Sequence, residues 1–166
     1  MTFKWAEKDV VIVKKDKRNR YSLTCVWDAK KPAVAFIMIN PSTGSVERAD
    51  RTLNRCRDFA ASWGYGSMKI VNLYSEISPK PNVIGTPTPL EYTFNQKAIK
   101  RAIKDSDKVI LAWGENGDKV KNRELAQQVI HMVDREKCYC IEKSANGRFP
   151  KHPLFLSKGL KPVRWI

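Results

Sequence analysis

Polar side chains follow several apolar stretches of this sequence at the points where those stretches end. Asn40 comes directly after the apolar run 33–39, and Asn72 lies near the end of the run 68–74. His152 lies in a basic segment beyond the last apolar stretch. An asparagine amide offers both a hydrogen-bond donor and an acceptor, and an imidazole nitrogen can donate as well. These residue types therefore predict a site that recognises a polar ligand through directed hydrogen bonds.

The apolar stretches that carry these residues have the pattern of β-strands. Residues 20–27 alternate between apolar and polar side chains, which is typical of an antiparallel or edge strand. The run 33–39 is apolar throughout, as expected of a strand covered on both faces. Further strands are predicted at 68–74, 108–113 and 137–142.

Helical periodicity separates the predicted strands. A first helix is predicted to begin after a cap at Asp50 and to end at Gly64. A second begins at the capping box of residues 88–91, and its spacing turns Phe94 toward the core and a row of cationic side chains outward. A third is predicted to open at residues 116–118.

This alternation of strands and helices predicts a single α/β domain over residues 1–166. The expected architecture is a three-layer α/β/α sandwich around a central, mainly parallel four-stranded sheet, with an N-terminal edge strand or hairpin. Ligands bind such sheets at the carboxyl ends of the strands. Asn40, Asn72 and His152 are therefore expected to lie together at one edge of the sheet.

The charge balance of the chain indicates a polyanionic partner. The 31 lysines and arginines outnumber the 17 aspartates and glutamates, which gives a formal net charge of +14. Such an excess makes a compact domain self-repelling unless a polyanion neutralises it. Nucleic acid is the favoured partner. A composition effect of the host and an acidic membrane surface are the alternatives, although the sequence has no basic amphipathic anchor.

The remaining composition predicts a cytoplasmic protein without a metal or another cofactor. The chain starts without the apolar stretch of a signal peptide, and no apolar run is long enough to span a bilayer. The four cysteines do not have the spacing of zinc ligands. Cys138 and Cys140 share one face of a predicted strand, and we interpret them as small apolar side chains rather than as a metal or redox pair.

Four sequence motifs, taken together, resemble the uracil-DNA glycosylase superfamily. They are the strand end with Asn40-Pro41-Ser42-Thr43, the strand end Val71-Asn72-Leu73, the strand 111–114 that ends in glycine, and the segment His152-Pro153-Leu154. The order and placement of the four motifs carry the resemblance, which extends from Tyr21 to the C-terminus. The similarity is closer still to a group of short bacterial and phage domains of unknown function with an Asn-Pro-Ser-Thr motif.

The resemblance implies a DNA glycosylase with a uracil-DNA glycosylase-like fold that hydrolyses the N-glycosidic bond of uracil, or of a related deaminated or modified pyrimidine. Such an enzyme flips the nucleotide out of the stack and needs no metal. Asn40 would hold the attacking water, His152 would donate to the O2 atom of the base, and Asn72 would pair with its O4 and N3–H. Tyr74 and Phe59 are the first candidates for an aromatic side chain that stacks on the base.

The same resemblance implies contacts with single- or double-stranded DNA around the site. Ser42 and Thr43 would bind the substrate phosphate, and Leu154 or Phe155 would enter the space vacated in the base stack. Basic residues near the closing segment are candidates for further phosphate contacts: Arg148, Lys151 and Lys158. The protein would act as a monomer, and a proteinaceous inhibitor could be a further partner.

The first motif departs from that of the most active uracil glycosylases, which carry an aspartate and a tyrosine in the neighbourhood where this chain has Asn40 and Ser42. We therefore expect slower activation of water and looser exclusion of thymine-like bases. A catalytically inactive nucleic-acid-binding module on the same fold is the first alternative. A nuclease or nucleotide hydrolase is the second, although metal-dependent phosphoryl chemistry requires more clustered carboxylates than Glu76 and Glu115. A glycosidase acting on free nucleotides is the third.

Overall fold

The computed structural model describes residues 1–166 and shows an α/β fold. The nine strands are β1 (Thr2–Lys4), β2 (Val10–Lys15), β3 (Arg20–Val26), β4 (Ala33–Met38), β5 (Arg48–Asp50), β6 (Ser67–Asn72), β7 (Lys108–Leu111), β8 (Cys138–Cys140) and β9 (Val163–Arg164). The three α-helices are α1 (Arg51–Ser62), α2 (Pro89–Lys104) and α3 (Val120–Met132). Short 3₁₀ helices lie at Pro81–Val83, Glu115–Asp118 and Arg135–Lys137.

Seven of the strands form one mixed sheet in the order β2-β3-β6-β4-β7-β8-β9, and β1 pairs with β5 in a separate two-stranded sheet. The neighbours β6–β4, β4–β7 and β7–β8 are parallel, whereas β2–β3, β3–β6 and β8–β9 are antiparallel. The predicted α/β class is confirmed. The sheet has seven strands rather than the four predicted for its centre. The β2–β3 hairpin lies on one side, where an N-terminal edge strand or hairpin was expected, and β9 extends the other side.

Helices cover both faces of this sheet. α1 packs on one face, where Leu53 and Phe59 join a buried cluster with Phe36 of β4. α2 and α3 pack on the other face, where Ile99 and Val129 belong to a second buried cluster. Successive residues of β4 point alternately into the two clusters, because side chains alternate across a strand. The central strands are continuous apolar runs since both of their faces are buried.

The helices begin close to the predicted positions. Asp50 caps α1, because its carboxylate accepts a hydrogen bond from the backbone N–H of Leu53 at 2.8 Å. The predicted capping box opens α2. α3 begins at Val120 rather than at residues 116–118, which belong to a 3₁₀ helix. None of the three α-helices combines the length and the apolar character that crossing a membrane requires.

One residue of α2 faces away from the core, contrary to the prediction. Phe94 is 45% exposed, and the buried face of α2 consists of Asn95, Gln96, Ile99, Ala102 and Ile103. Asn95 can lie inside because its amide donates hydrogen bonds to the backbone oxygens of Asn72 and Leu73, at 2.9 and 3.1 Å. The buried stripe is therefore rotated relative to the apolar periodicity, and it leaves an aromatic ring on the surface.

The two cysteines of β8 are buried free thiols, in agreement with their interpretation as small apolar side chains. Burial raises the pKa of the Cys138 and Cys140 thiols to about 11. Both thiols are therefore protonated near neutral pH and contribute to packing.

Candidate active site

A small polar cavity opens at the carboxyl end of β4, on the face of the sheet that α1 covers. Its volume is about 180 Å³, and twelve residues line it. Seven of them have polar side chains: Arg20, Asn40, Ser42, Asp50, Thr52, Ser78 and His152. This volume equals roughly six liquid water molecules and is below the roughly 300–1,000 Å³ of pockets for drug-sized ligands. The cavity therefore suits a single ring rather than a whole nucleotide.

Asn40 has one atom of its amide available to a ligand. Its Nδ2 atom donates hydrogen bonds to the backbone oxygens of Pro41 and Ser78, at 2.9 and 2.7 Å. These bonds join the turn after β4 to the loop after β6 and fix the orientation of the amide. The Oδ1 atom has no hydrogen-bond partner within the protein. Asn40 can therefore accept a hydrogen bond from a water molecule or a ligand.

His152 presents a neutral imidazole to the same cavity. Its Nδ1 atom accepts a hydrogen bond from the backbone N–H of Leu154 at 3.2 Å. Burial lowers the pKa of His152, and the nearby charge of Asp50 opposes this effect only in part. A neutral imidazole that accepts through Nδ1 carries its proton on Nε2. His152 can therefore donate a hydrogen bond to a ligand through Nε2.

The end of β7 fixes the position of the segment that carries His152. The backbone N–H of Gly114 donates to the oxygen of Pro150 at 3.0 Å. Gly114 has a φ of 73°, which favours glycine, and a Cβ atom there would lie 3.1 Å from the Cβ of His152. Glycine at this position therefore lets the backbone of His152 lie close to the end of β7.

Asp50 brings a carboxylate to the cavity. One of its oxygens, Oδ1, caps α1 at Leu53, and the residue also lines the cavity together with Asn40 and His152. The sequence indicates Asp50 as a helix cap and not as a site residue. The signal that could have found it is its position as the cap of the first helix after the Asn40 motif, because that helix must begin near the carboxyl end of β4.

Arg20 places a buried positive charge beside this carboxylate, and sequence analysis did not identify it either. The residue is 3% exposed; its Nη1 atom donates to the oxygen of Gly44 at 3.2 Å, and its Nε atom has no partner. Burial lowers the pKa of Arg20, but an arginine remains charged in proteins. No group of three or more His, Cys, Asp or Glu side chains is arranged to hold a metal ion, and we assign no metal ligand.

Asn72 does not line the cavity. Its Cα atom is in register with that of Met38, which does line the cavity. The Asn72 side chain is 1% exposed, and neither its Nδ2 nor its Oδ1 atom has a hydrogen-bond partner. A base could reach this amide only if the cavity extended toward β6. An unpaired buried amide is costly, so its presence requires an explanation.

The structure does not place the two predicted stacking residues at the cavity. Tyr74 packs against the cluster on the α2 and α3 face, and its hydroxyl donates to Oδ1 of Asn122 at 2.6 Å. Phe59 is buried within α1 and stacks on Trp63 with 5.3 Å between ring centroids. The sequence could not distinguish these rings from site residues, because an aromatic side chain near the end of a strand or helix can point to either face of the sheet.

The predicted DNA contacts are divided between the cavity and the surface. Ser42 lines the cavity, while Thr43 is exposed. Arg148 pairs with Asp118 at 3.2 Å, Lys151 pairs with Glu142, and Lys158 is exposed without an ion pair.

Phe155 is the more exposed of the two predicted wedge residues. It is 82% exposed, whereas Leu154 is half-buried. Phe155 also has a φ of 72°, which is unusual for a bulky residue and keeps its ring beside the guanidinium of Arg51, 5.6 Å from the ring centroid. An exposed aromatic ring held three residues after His152 is in a suitable position to contact an unstacked base.

Acidification is expected to destabilise the protein through His152. Because burial lowers the pKa of His152 below the usual 6.5, the unfolded chain binds more protons at this site than the folded protein does. The contribution of His152 to stability is therefore complete above about pH 6.5 and is lost as the pH falls through the lower pKa of the folded state. Urea unfolding at pH 7.5 and 5 should show a smaller acid-induced loss for His152→Gln than for the wild type.

His131 provides the matched control, since the chain has only two histidines. It is exposed on α3, and its Nδ1 atom lies 2.8 Å from the backbone oxygen of Gln127. The His131→Gln variant should lose as much stability on acidification as the wild type. If the His152→Gln variant also lost as much stability on acidification as the wild type, His152 would not be the source of the acid sensitivity.

Comparison with known proteins gives one match. A protein-family model described as "Protein of unknown function (DUF1643)" matches residues 20–154. This range includes every residue that lines the cavity, from Arg20 to His152. No curated protein and no solved structure matches the chain.

Proposed function

The chain belongs to the DUF1643 family of proteins of unknown function, and we propose that it is a DNA glycosylase that hydrolyses the N-glycosidic bond of uracil or of a related deaminated or modified pyrimidine. One observation carries the proposal. Asn40, Asp50 and His152 come from three separate stretches of chain and line a single cavity of about 180 Å³. The resemblance of the strand-end motifs to the uracil-DNA glycosylase superfamily supports the same conclusion.

The residue types in the cavity match what this reaction requires. The C1′–N1 bond breaks with its electron pair going to the base, and the oxygen of a water molecule forms the new bond to C1′. The Oδ1 atom of Asn40 accepts a hydrogen bond from this water, and the Asp50 carboxylate takes up its proton. The Nε2–H of His152 donates to the O2 atom of the base as negative charge develops there. The base anion is protonated after it leaves.

Asp50 supplies the carboxylate that the first motif lacks. The most active relatives by resemblance use an aspartate near the position of Asn40, and the sequence offers none there. Asp50 lines the same cavity from the start of α1, so it can act as the base that the motif lacks. The buried charge of Arg20, which also lines the cavity, adds a positive potential that favours the departing anion.

Asn72 is proposed to read the base, with its Nδ2 atom donating to O4 and its Oδ1 atom accepting from N3–H. Both atoms are unpaired, which leaves the donor and the acceptor available. Cytosine presents the opposite arrangement at these two positions, so the amide would discriminate against it. Because Asn72 is buried beside Met38 and does not line the cavity, this contact requires the cavity to open toward β6 when a base enters.

A substrate panel tests the proposal. The protein is incubated in EDTA with labelled oligonucleotides that contain uracil, hydroxymethyluracil or thymine, as single strands and opposite guanine or adenine. Alkali should then cleave the strand at the modified position, because base release leaves an alkali-labile abasic site. Free deoxyuridine and its monophosphate are tested in parallel, and their hydrolysis without oligonucleotide cleavage would indicate a glycosidase of free nucleotides. If alkali cleaves none of the oligonucleotides after incubation, the proposal fails.

A catalytically inactive nucleic-acid-binding module is the second candidate, and the burial of Asn72 favours it. The same panel separates the candidates. Tight, salt-sensitive binding without alkali-labile product would indicate the inactive module. Strand breaks that are present before alkali treatment would indicate a nuclease.

A further inference from the structure

A second and larger groove lies on the opposite face of the sheet from the cavity. It has a volume of about 530 Å³ and runs between α2 and the outer part of the sheet formed by β2, β3 and β6. Its walls include four cationic side chains and two aromatic rings: Lys14, Lys69, Lys97, Arg101, Tyr21 and Phe94. None of these residues lines the cavity, so the groove is a separate surface.

The groove has a positive charge that the chain itself does not neutralise. Asp105 is its single acidic side chain, and it pairs with Arg101 at 2.7 Å. Lys14 and Lys97 are exposed and make no ion pair. They approach the groove from different elements, Lys14 from the edge strand β2 and Lys97 from α2. Cations on both walls favour a polyanion that lies along the groove.

The aromatic rings give the groove a stacking surface. Phe94 is 45% exposed, and it meets Tyr21 edge-on with 5.8 Å between ring centroids. The Tyr21 hydroxyl donates to Oδ2 of Asp16 at 2.9 Å, which holds this ring in place. The Phe94 ring is therefore supported by Tyr21 and remains partly accessible to a ligand. Aromatic side chains of this kind stack on unpaired bases, and they do so with little dependence on base identity.

We propose that this groove binds a single strand of nucleic acid, with the phosphates along the lysines and a base against Phe94. The combination of cations with an exposed aromatic ring in a recess favours this occupant. Bases of a duplex are stacked and cannot reach the ring, and an acidic peptide would use the charges but not the ring. The inference is independent of the proposed glycosylase activity, because it uses none of the cavity residues.

Binding of a fluorescein-labelled thymidine 12-mer, followed by anisotropy over a range of salt concentrations, tests the groove. The double variant Lys14→Glu/Lys97→Glu should bind at least tenfold more weakly, and the slope of log Kd against log salt should fall by about 1.4, since each phosphate contact contributes about 0.7 for a single strand. Phe94→Ala should weaken binding about tenfold with an unchanged slope. Base release at saturating substrate should be unchanged in both variants.

The double variant Lys30→Glu/Lys31→Glu is the matched control. It makes the same change in net charge at exposed residues that line neither the groove nor the cavity. Its affinity should remain within about threefold of the wild-type value. Equal weakening in the two double variants, or wild-type affinity in Phe94→Ala, would overturn the proposal. A polyglutamate peptide is tested as a competitor. If it displaces the 12-mer, and if Phe94→Ala weakens the binding of the peptide as well, the partner would be an acidic peptide and the proposal would also be overturned.

Discussion

Replacing Asp50 with asparagine is expected to lower the rate of base release about 10²- to 10⁴-fold. The variant should keep the helix cap, because asparagine caps a helix about as well as aspartate. The Asp50 side chain has two separable roles. Its Oδ1 atom accepts from the backbone N–H of Leu53, and an amide oxygen can replace it there. Uptake of a proton from water requires the carboxylate, and the amide cannot replace that function.

Two further variants separate catalysis from folding. Asp50→Ala removes the cap as well, so it should lose the same activity and in addition about 1 kcal/mol of stability. Asp58→Asn makes the same chemical change at an exposed position on the same helix and should leave both the rate and the stability unchanged. Single-turnover base release and urea unfolding are the measurements. If Asp50→Asn retained more than about a third of the wild-type rate, Asp50 would not be the base.

The sequence predicted the central strands well because their physical origin is simple. Strands buried on both faces are continuous apolar runs; β4 and β7 lie within the predicted ranges, and β6 begins one residue before its predicted start. An N-terminal edge strand or hairpin was expected, but no range was predicted for β2, because Val10 and Ile12 are exposed and the strand lies at the edge of the sheet. β1, β5 and β9 have only two or three residues, which is too short for a period of two to be recognised.

The candidate site was predicted only in part, for a related reason. Residues that follow a strand directly, such as Asn40, can be found because the strand that delivers them is recognisable. Arg20 and Asp50 reach the cavity from elements whose local patterns indicate other roles, namely the first residue of an alternating strand and a helix cap. Their convergence depends on the pairing of β3 with β6 and on the packing of α1, which are long-range features. Local sequence carries no signal for such convergence.

Replacing Asn72 with leucine is expected to stabilise the fold while abolishing base release. The unpaired amide of Asn72 carries a desolvation cost of about 1–3 kcal/mol, and leucine has a similar shape without polar atoms. The free energy of unfolding should therefore rise by about 1–3 kcal/mol. If the amide reads the base, the same variant should lose uracil excision, since no other side chain is assigned to O4 and N3–H.

Asn95 is the matched control for this variant, because it is also a buried asparagine, 4% exposed, and it contacts the end of β6. Its amide donates to the backbone oxygens of Asn72 and Leu73, so Asn95→Leu would leave two buried carbonyls unpaired and should destabilise the protein by about 2 kcal/mol or more. If Asn72→Leu raises the free energy of unfolding and Asn95→Leu lowers it, the Asn72 amide is a group retained for binding at a cost in stability. Equal destabilisation, or undiminished excision by Asn72→Leu, would show instead that Asn72 is structural and that another group must recognise the base.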